Sequence, residues 1–205
     1  MIHAPVTLSL RQQEFIRTQV LGNYFPWFRT VNHTDRQAHD SQLTGLFPLI
    51  DPQIPGTIDS ITGVIADMPI WTHQLITRSQ NPASSGQVVS QHYEFFADIF
   101  YSWASEHHIP VDQVYRASLN CSHPNEYDYS MPHLDHQWPH NNWIMYLNTV
   151  PDAPTVLFDP SLAPYAEIAC EEFMAVSFPA QYHTNKHSHS MLQRFVCVFT
   201  FGLKI

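Results

Sequence analysis

The last apolar segment of the chain, at residues 194–201, has the sequence Arg194-Phe195-Val196-Cys197-Val198-Phe199-Thr200-Phe201. Aromatic and β-branched residues dominate it, which is typical of a β-strand. Because side chains alternate between the two faces of a strand, Arg194, Val196 and Val198 share one face. An arginine that opens such an apolar strand is costly to bury without a partner. We therefore expect Arg194 either to reach solvent at the strand end or to bind an anion.

Four earlier segments have the same apolar, β-branched or aromatic character and predict further strands: 114–121, 143–148, 155–158 and 173–178. Polar or proline-bearing connections separate them. In the segment 143–148 the alternation places Tyr146 on one face with Ile144 and Asn148. The second half of the chain is therefore predicted to be all-β.

The first half instead carries helix signals. Ser9 and Gln12 have the spacing of a capping box, which predicts the start of a helix. Gly22 is a stop signal and predicts where that helix ends. A second helix is indicated by one apolar stripe, Phe96, Phe100 and Trp103, and should end near His107, before a proline. We therefore predict an α+β fold, with the helices packed on a β-sandwich or rolled sheet. Because the sequence shows no repeats and no linker, we expect a single domain that spans residues 1–205.

Composition restricts the function. The 205 residues are 44% hydrophobic and 13% charged, with a formal net charge of −9. A core of this apolar content excludes wholesale disorder, and the negative charge argues against a nucleic-acid partner. Three widely spaced cysteines do not predict a disulfide framework. With no apolar run of 18 residues and no signal-peptide core, we expect no membrane partner and a cytoplasmic location.

The motif His133-Leu134-Asp135 precedes the predicted strand 143–148, whereas a second copy, His33-Thr34-Asp35, has no comparable setting. Two histidines and one carboxylate form the facial triad of non-haem iron(II) oxygenases. His133 and Asp135 share a face in an extended segment. The third ligand must come from a distant strand, and His183 follows the strand 173–178. An anionic co-substrate on iron also needs a cation at its far end, for which arginine is suited.

Several alternatives remain open at this stage. His187 and His189 compete with His183 for the third position, although their surroundings predict an exposed loop. His136 and His140, on either side of Trp138, either line the substrate mouth or form a solvated turn. Tyr146 is either part of the site or an ordinary core tyrosine.

The segment from residue 114 to residue 201 resembles the prolyl-4-hydroxylase-like branch of the 2-oxoglutarate and Fe(II)-dependent dioxygenases, and more narrowly the small members encoded by tailed phages, including cyanophages. The resemblance rests on Pro132-His133-Leu134-Asp135, Tyr146-Leu147-Asn148, Thr155-Val156-Leu157-Phe158, Phe178-Pro179 followed by His183, and Arg194 with its aromatic strand. It implies a double-stranded β-helix, or jelly-roll, over residues 111–205, with N-terminal helices packed on one sheet and residues 1–110 as helical support and loops.

The resemblance also implies roles. Iron would be held by His133, Asp135 and His183, and Arg194 would pair with the distal carboxylate of 2-oxoglutarate. Tyr146 occupies a position whose phenol reaches that carboxylate in related enzymes. His123 stands where the family often has a tyrosine that contacts the co-substrate. A second departure is Asp152-Ala153-Pro154, where the family tends to have a Gly-Gly pair.

The function that follows is a hydroxylase that uses Fe(II), 2-oxoglutarate and dioxygen, with ascorbate as a stimulant. It would hydroxylate an unactivated C–H bond and release succinate and CO2. A prolyl or other amino-acid residue in a peptide or protein is the expected substrate, and a small molecule stays open. If the chain is phage-encoded, the location is the cytoplasm of a bacterial host. One alternative is a non-catalytic jelly-roll that serves as a binding or structural module, for example in a phage virion. Another is a related fold with a different metal or reaction.

Overall fold

The computed structural model describes residues 1–30, 70–124 and 132–204. The second His-x-Asp copy, at His33 and Asp35, lies outside these ranges. Within them the protein is mostly antiparallel β-sheet with two short helices. The helices are α1 (Leu10–Phe15), which continues through a π-helical turn (Ile16–Val20), and α2 (Tyr93–Glu106).

Ten strands in the described ranges form two sheets. The large sheet has the spatial order β1 (Ile2–Pro5), β8 (Met174–Pro179), β5 (Asn141–Tyr146), β10 (Arg194–Leu203), β4 (Val111–Ser122), β3 (Ile70–Ile76) and β2 (Phe28–Thr30). The small sheet has the order β7 (Pro164–Cys170), β6 (Val150–Phe158) and β9 (His183–Asn185). Every pair of neighbouring strands is antiparallel, and β10 lies between β5 and β4. The arrangement confirms the prediction at the level of a jelly-roll-like fold.

One core fills the space between the large sheet and the helices. Phe100 and Trp103 of α2 pack against the sheet, where the ring of Phe100 stacks on that of Phe199 with centroids 4.6 Å apart. The predicted stripe on α2 is confirmed, since Phe96, Phe100 and Trp103 are all buried. Burying aromatic side chains of this size is a main source of stability. Gly22 follows the first helix closely, and the Ser9–Gln12 capping box is present as predicted.

A second core joins the two sheets. Tyr146 and Val196 of the large sheet pack in one cluster with Leu157 and Ile168 of the small sheet. Because Arg194, Val196 and Val198 share the face of β10 that points toward the small sheet, this face carries both the arginine and the apolar wall behind it.

The first 110 residues differ from the expectation of helices and loops alone. The described part of this half, residues 1–30 and 70–110, contributes three strands, β1, β2 and β3, to the large sheet. β3 was not predicted because five of its seven residues are buried, so it lacks the alternation of a half-exposed strand. No helix in the described ranges is long and apolar enough to span a membrane.

Candidate metal centre

A cavity of about 680 Å³ opens between the two sheets. Its described lining comes from both of them: β4, β5 and β10 of the large sheet, and Thr155 and His183 of the small sheet. The segment 133–138 lines one side. The cavity therefore brings together residues that are distant in the sequence.

Three potential metal ligands meet in this cavity. The nitrogen or oxygen atoms that His133, Asp135 and His183 offer lie within 4.8 Å of one another. The backbones of His133 and His183 bond each other reciprocally, with N–H to O distances of 3.0 and 3.1 Å. This bridge anchors the His-x-Asp segment to β9 and sets the separation of the two rings, whose centroids are 4.6 Å apart.

The hydrogen bonds of these residues leave ligand atoms facing one another. The Nδ1 of His183 donates to the backbone oxygen of Gln181 at 3.0 Å, so its Nε2 carries a lone pair in the neutral ring. That Nε2 lies 3.4 Å from Oδ2 of Asp135. Oδ2 is buried and accepts no hydrogen bond from the residues that the structure describes. A divalent cation would satisfy both atoms, so the residues present fit a metal ion.

The other carboxylate oxygen of Asp135 is already bonded. Arg116 donates to Oδ1 at 2.8 Å, and Arg78 donates to the backbone oxygen of Asp135. Burial raises the pKa of the Asp135 carboxyl, but His183, Arg116 and His133 together lower it more, so that it lies well below its usual range. Asp135 is therefore ionised at neutral pH, as a metal ligand must be.

Arg194 is buried in the cavity wall. Its Nε donates to the backbone oxygen of Ala153 at 3.1 Å and its Nη2 to the hydroxyl of Thr155 at 2.8 Å. The side chain of Arg194 is 5% exposed, and none of the described acidic residues forms an ion pair with it. A buried guanidinium with no carboxylate partner among the described residues can bind an anionic ligand.

Tyr146 supports this arginine. Its hydroxyl donates to Thr155 at 2.8 Å, and the Arg194 guanidinium lies 5.4 Å from the centre of its ring. Burial raises the pKa of Tyr146 to about 12. Thr155 lines the cavity, so the tyrosine contacts the site through Thr155 and Arg194.

His123 is not brought to this site. Its ring lies beside Trp71, with centroids 6.1 Å apart, and its Nδ1 is 3.2 Å from the amide nitrogen of Gln193. It lines a separate groove with Met191 and Leu192. On β4 the cavity face is occupied by Asn120 and Ser122.

The structure also separates the competing histidines. His187 and His189 line another groove, next to Asp152, while His183 joins His133. The segment that contains His187 and His189 was expected to be an exposed loop. This expectation was wrong for the first part of the segment, because Thr184 and His187 are buried. β9 accounts for this, since it pairs with β6 and draws the segment into the small sheet.

His136 lines the cavity, stacked on Trp138 with centroids 4.7 Å apart. Its Nε2 lies 2.7 Å from the hydroxyl of Thr200. Burial and the nearby Arg78 lower the pKa of His136 to about 3. His140 is buried behind it, and its Nδ1 donates to the backbone oxygen of Trp138 at 2.7 Å. The two imidazoles are therefore buried, so the alternative of a solvated turn does not hold for them.

Sequence reasoning missed Arg116 and Arg78. A signal for Arg116 existed: it shares a face of β4 with Ser118, Asn120 and Ser122, a polar stripe in an otherwise apolar strand. Arg78 lies two residues after the end of β3, in a polar segment, and carries no such signal.

Comparison of the sequence with protein-family models and with curated proteins finds no match. Among solved structures, the fold is similar to an oxidoreductase of the 2OG-Fe(II) oxygenase family from Burkholderia pseudomallei. That match has a TM-score of 0.54 and 12% identity, and covers 84% of this chain and 93% of the other. At this identity the similarity concerns the fold.

Two weaker matches are prolyl hydroxylases. One is a prolyl-4-hydroxylase from Pseudomonas putida, with a TM-score of 0.43, 8% identity and coverage of 95% and 100% of the two chains. The other is from Trichoplax adhaerens, solved with a peptide fragment of a hypoxia inducible factor, with a TM-score of 0.44, 9% identity and coverage of 93% and 90%. The resemblance to phage members is not supported by these matches and stays a prediction.

Proposed function

We propose that this protein is a 2-oxoglutarate- and Fe(II)-dependent dioxygenase that hydroxylates an unactivated C–H bond and releases succinate and CO2. One observation carries the proposal. A single cavity contains the potential ligand atoms of His133, Asp135 and His183, which lie within 4.8 Å of one another, and its wall also contains a buried arginine, Arg194. The two sheets would form a double-stranded β-helix around it. As the substrate we propose a prolyl or other amino-acid residue, in a peptide or as a small molecule.

In this proposal His133, Asp135 and His183 hold the iron. The iron–2-oxoglutarate pair supplies the oxidising power when bound, by activating dioxygen. Arg194 binds the distal carboxylate of 2-oxoglutarate. Thr155 and Tyr146 fix the orientation of the guanidinium by hydrogen bonding and by contact with the ring.

The walls of the cavity exclude water from the reacting groups. Ile144, Val196 and Val198 line it from the large sheet, each less than a tenth exposed. A low-dielectric wall strengthens the attraction between Arg194 and a carboxylate. It also protects a reactive intermediate from solvent.

The rival is a jelly-roll that binds a ligand or a metal without turnover. It gives no reason for a buried arginine to share a cavity with the three ligands. It predicts that replacing Arg194 leaves metal binding unchanged and that 2-oxoglutarate does not bind.

The experiment follows succinate formed from 2-oxoglutarate in air, with Fe(II) and ascorbate, by proton NMR. His183→Asn and His189→Asn form a matched pair, because both remove an imidazole from the same segment but His189 is exposed and outside the cavity. We expect His183→Asn to abolish succinate formation and His189→Asn to retain it. Equal loss or equal retention in the two folded variants, or no succinate from the wild type, would overturn the proposal.

A further inference from the structure

One large aromatic side chain, that of Trp138, lies in the wall of the cavity. Among the described lining residues it is the only tryptophan, and none of the others is a phenylalanine or a tyrosine. The residue is half-buried, so part of it can be reached from the cavity. Neither the three metal ligands nor the anion site at Arg194 uses this side chain, and its role is therefore a separate question.

The indole of Trp138 is held in place from several sides. The ring of His136 stacks on it with centroids 4.7 Å apart, and the ring of Tyr115 meets it edge-on with centroids 5.9 Å apart. His136 is itself anchored, because its Nε2 lies 2.7 Å from the hydroxyl of Thr200. The backbone oxygen of Trp138 accepts a hydrogen bond from Nδ1 of His140 at 2.7 Å. A ring that is already fixed loses little conformational entropy when a ligand packs on it.

The part of Trp138 that the cavity can reach is hydrocarbon. Its Nε1 is buried and donates no hydrogen bond within the part of the chain that the structure describes. The exposed fraction of the side chain therefore consists of ring carbons. Such a surface binds apolar groups, and the negative face of an indole also attracts the positive C–H edge of another ring.

Trp138 also lies close to the metal centre. It follows Asp135 by three residues, and their Cα atoms are therefore at most about 11 Å apart, since each residue spans at most about 3.6 Å. His136, which stacks on the indole, is the residue directly after Asp135. Trp138, His136 and Asp135 line the same cavity. A group that packs on the indole is therefore placed beside the metal ligands.

We propose that Trp138 binds the substrate and selects one that carries an apolar ring. The ring packs on the exposed part of the indole, and the C–H bond to be hydroxylated faces the metal centre, so this inference rests on the proposed function. A flat, rigid ring contacts the indole over more of its area than a chain of the same carbon number, and it loses less rotamer freedom. The ring can be the pyrrolidine of a prolyl residue or an aromatic ring.

The test measures binding by calorimetry to protein loaded with Zn(II) and 2-oxoglutarate, so that no turnover occurs. The probes are N-acetylated, C-amidated tetrapeptides that differ at one residue. Proline is compared with valine, and phenylalanine with the linear-chain amino acid that has the same number of side-chain carbons. We expect the ring of at least one pair to bind at least about threefold more tightly, as a contact between a ring and an aromatic side chain provides. The pair that shows the preference identifies the kind of ring.

Three variants assign the preference to the residue. Trp138→Leu stays apolar but removes the flat surface, and should reduce the preference to less than about 1.5-fold, whereas Trp138→Phe should retain part of it. Trp71→Leu removes an indole that is 37% exposed and outside the described cavity lining, and should leave the preference intact. Equal binding within both pairs, or a preference that survives Trp138→Leu, would overturn the proposal. So would tighter binding of the lysine tetrapeptide than of both ring peptides, because a cation also binds the face of an indole.

Proton NMR of the wild type gives a second measurement, which does not depend on how well the variants fold. Zn(II) is diamagnetic, so the ring protons of the preferred peptide can be followed during a titration. We expect them to move upfield, because they lie over the face of an indole. Ring protons that do not move upfield on binding would overturn the proposal.

Failure of the proposed function is recognised separately. A Zn(II) titration without other ligands precedes the peptides, and absence of Zn(II) binding would refute the metal centre. The peptides are then measured on the metal-free protein. Because His136, Tyr115 and His140 hold Trp138 and are not metal ligands, the ring preference and its loss in Trp138→Leu still decide whether this residue selects rings.

Discussion

The hydroxyl of Thr155 accepts hydrogen bonds from two buried donors. The variant Thr155→Val tests how much this hydroxyl contributes to the free energy of unfolding. Tyr146 and Arg194 each donate to it at 2.8 Å, and all three side chains are at most 5% exposed. Valine has nearly the same shape but accepts no hydrogen bond. Loss of a neutral bond costs about 1 kcal/mol, and loss of a charged one about 1.5–3 kcal/mol. We therefore expect the free energy of unfolding to fall by about 3 kcal/mol, or roughly 6–12 °C in Tm for a chain of this size.

Urea unfolding followed by tryptophan fluorescence measures this loss, with Thr7→Val as the control because that threonine is exposed. A double-mutant cycle with Tyr146→Phe adds a sharper test. The phenylalanine removes the donor that Thr155→Val leaves unpaired, so the double variant should lose less than the sum of the single losses. A loss below about 1 kcal/mol for Thr155→Val, or additivity within about 0.5 kcal/mol, would refute the reasoning.

Three further predictions concern the metal centre, pH and a helix end. Arg116→Met should weaken Mn(II) binding at least about tenfold by calorimetry, because Arg116 orients Asp135, and a change below twofold would contradict this role. Burial and then Arg194 lower the pKa of His187 from 6.5 to about 4, so the unfolded chain binds this proton first as the pH falls. The free energy of unfolding should drop by about 2 kcal/mol between pH 7 and pH 5 on this account, and His187→Asn should remove that part of the drop in urea titrations. Ser9→Ala should cost about 1 kcal/mol, seen as a lower urea midpoint, through loss of the capping box with Gln12.

The strands of the second half could be predicted because they are local patterns. β10 and β5 are rich in aromatic and branched residues. The alternation of side chains along β10 already placed Arg194 on the same face as Val196. The choice of His183 over His187 followed from its position directly after a strand, and the structure brings His183 to His133. That the cavity joins these residues to a buried arginine was expected from the chemistry of an anionic co-substrate.

Features that depend on pairing between distant segments were not predictable in the same way. β9 has three residues and a polar sequence, and it is a strand because β6 and the backbone of His133 bond to it. β3 is buried along most of its length and shows no alternation.

His123 illustrates the limit of placing a residue by family spacing. It follows Ser122, which faces the cavity, and its own ring lies in a separate groove. The ion pair between Arg116 and Asp135 joins residues from β4 and from the segment that precedes β5. The polar stripe on β4 could have indicated the arginine, but its partner depends on the tertiary structure.

The central claim is that one cavity holds a metal ion and 2-oxoglutarate together. An anaerobic titration of the apoprotein with Fe(II), and then with 2-oxoglutarate, tests it through the weak visible charge-transfer band of the chelate. We predict a band that saturates in the wild type, is absent in Asp135→Ala, and needs far more 2-oxoglutarate in Arg194→Met. A folded wild-type protein that gives no band, or one whose band does not depend on Asp135 and Arg194, would contradict the account.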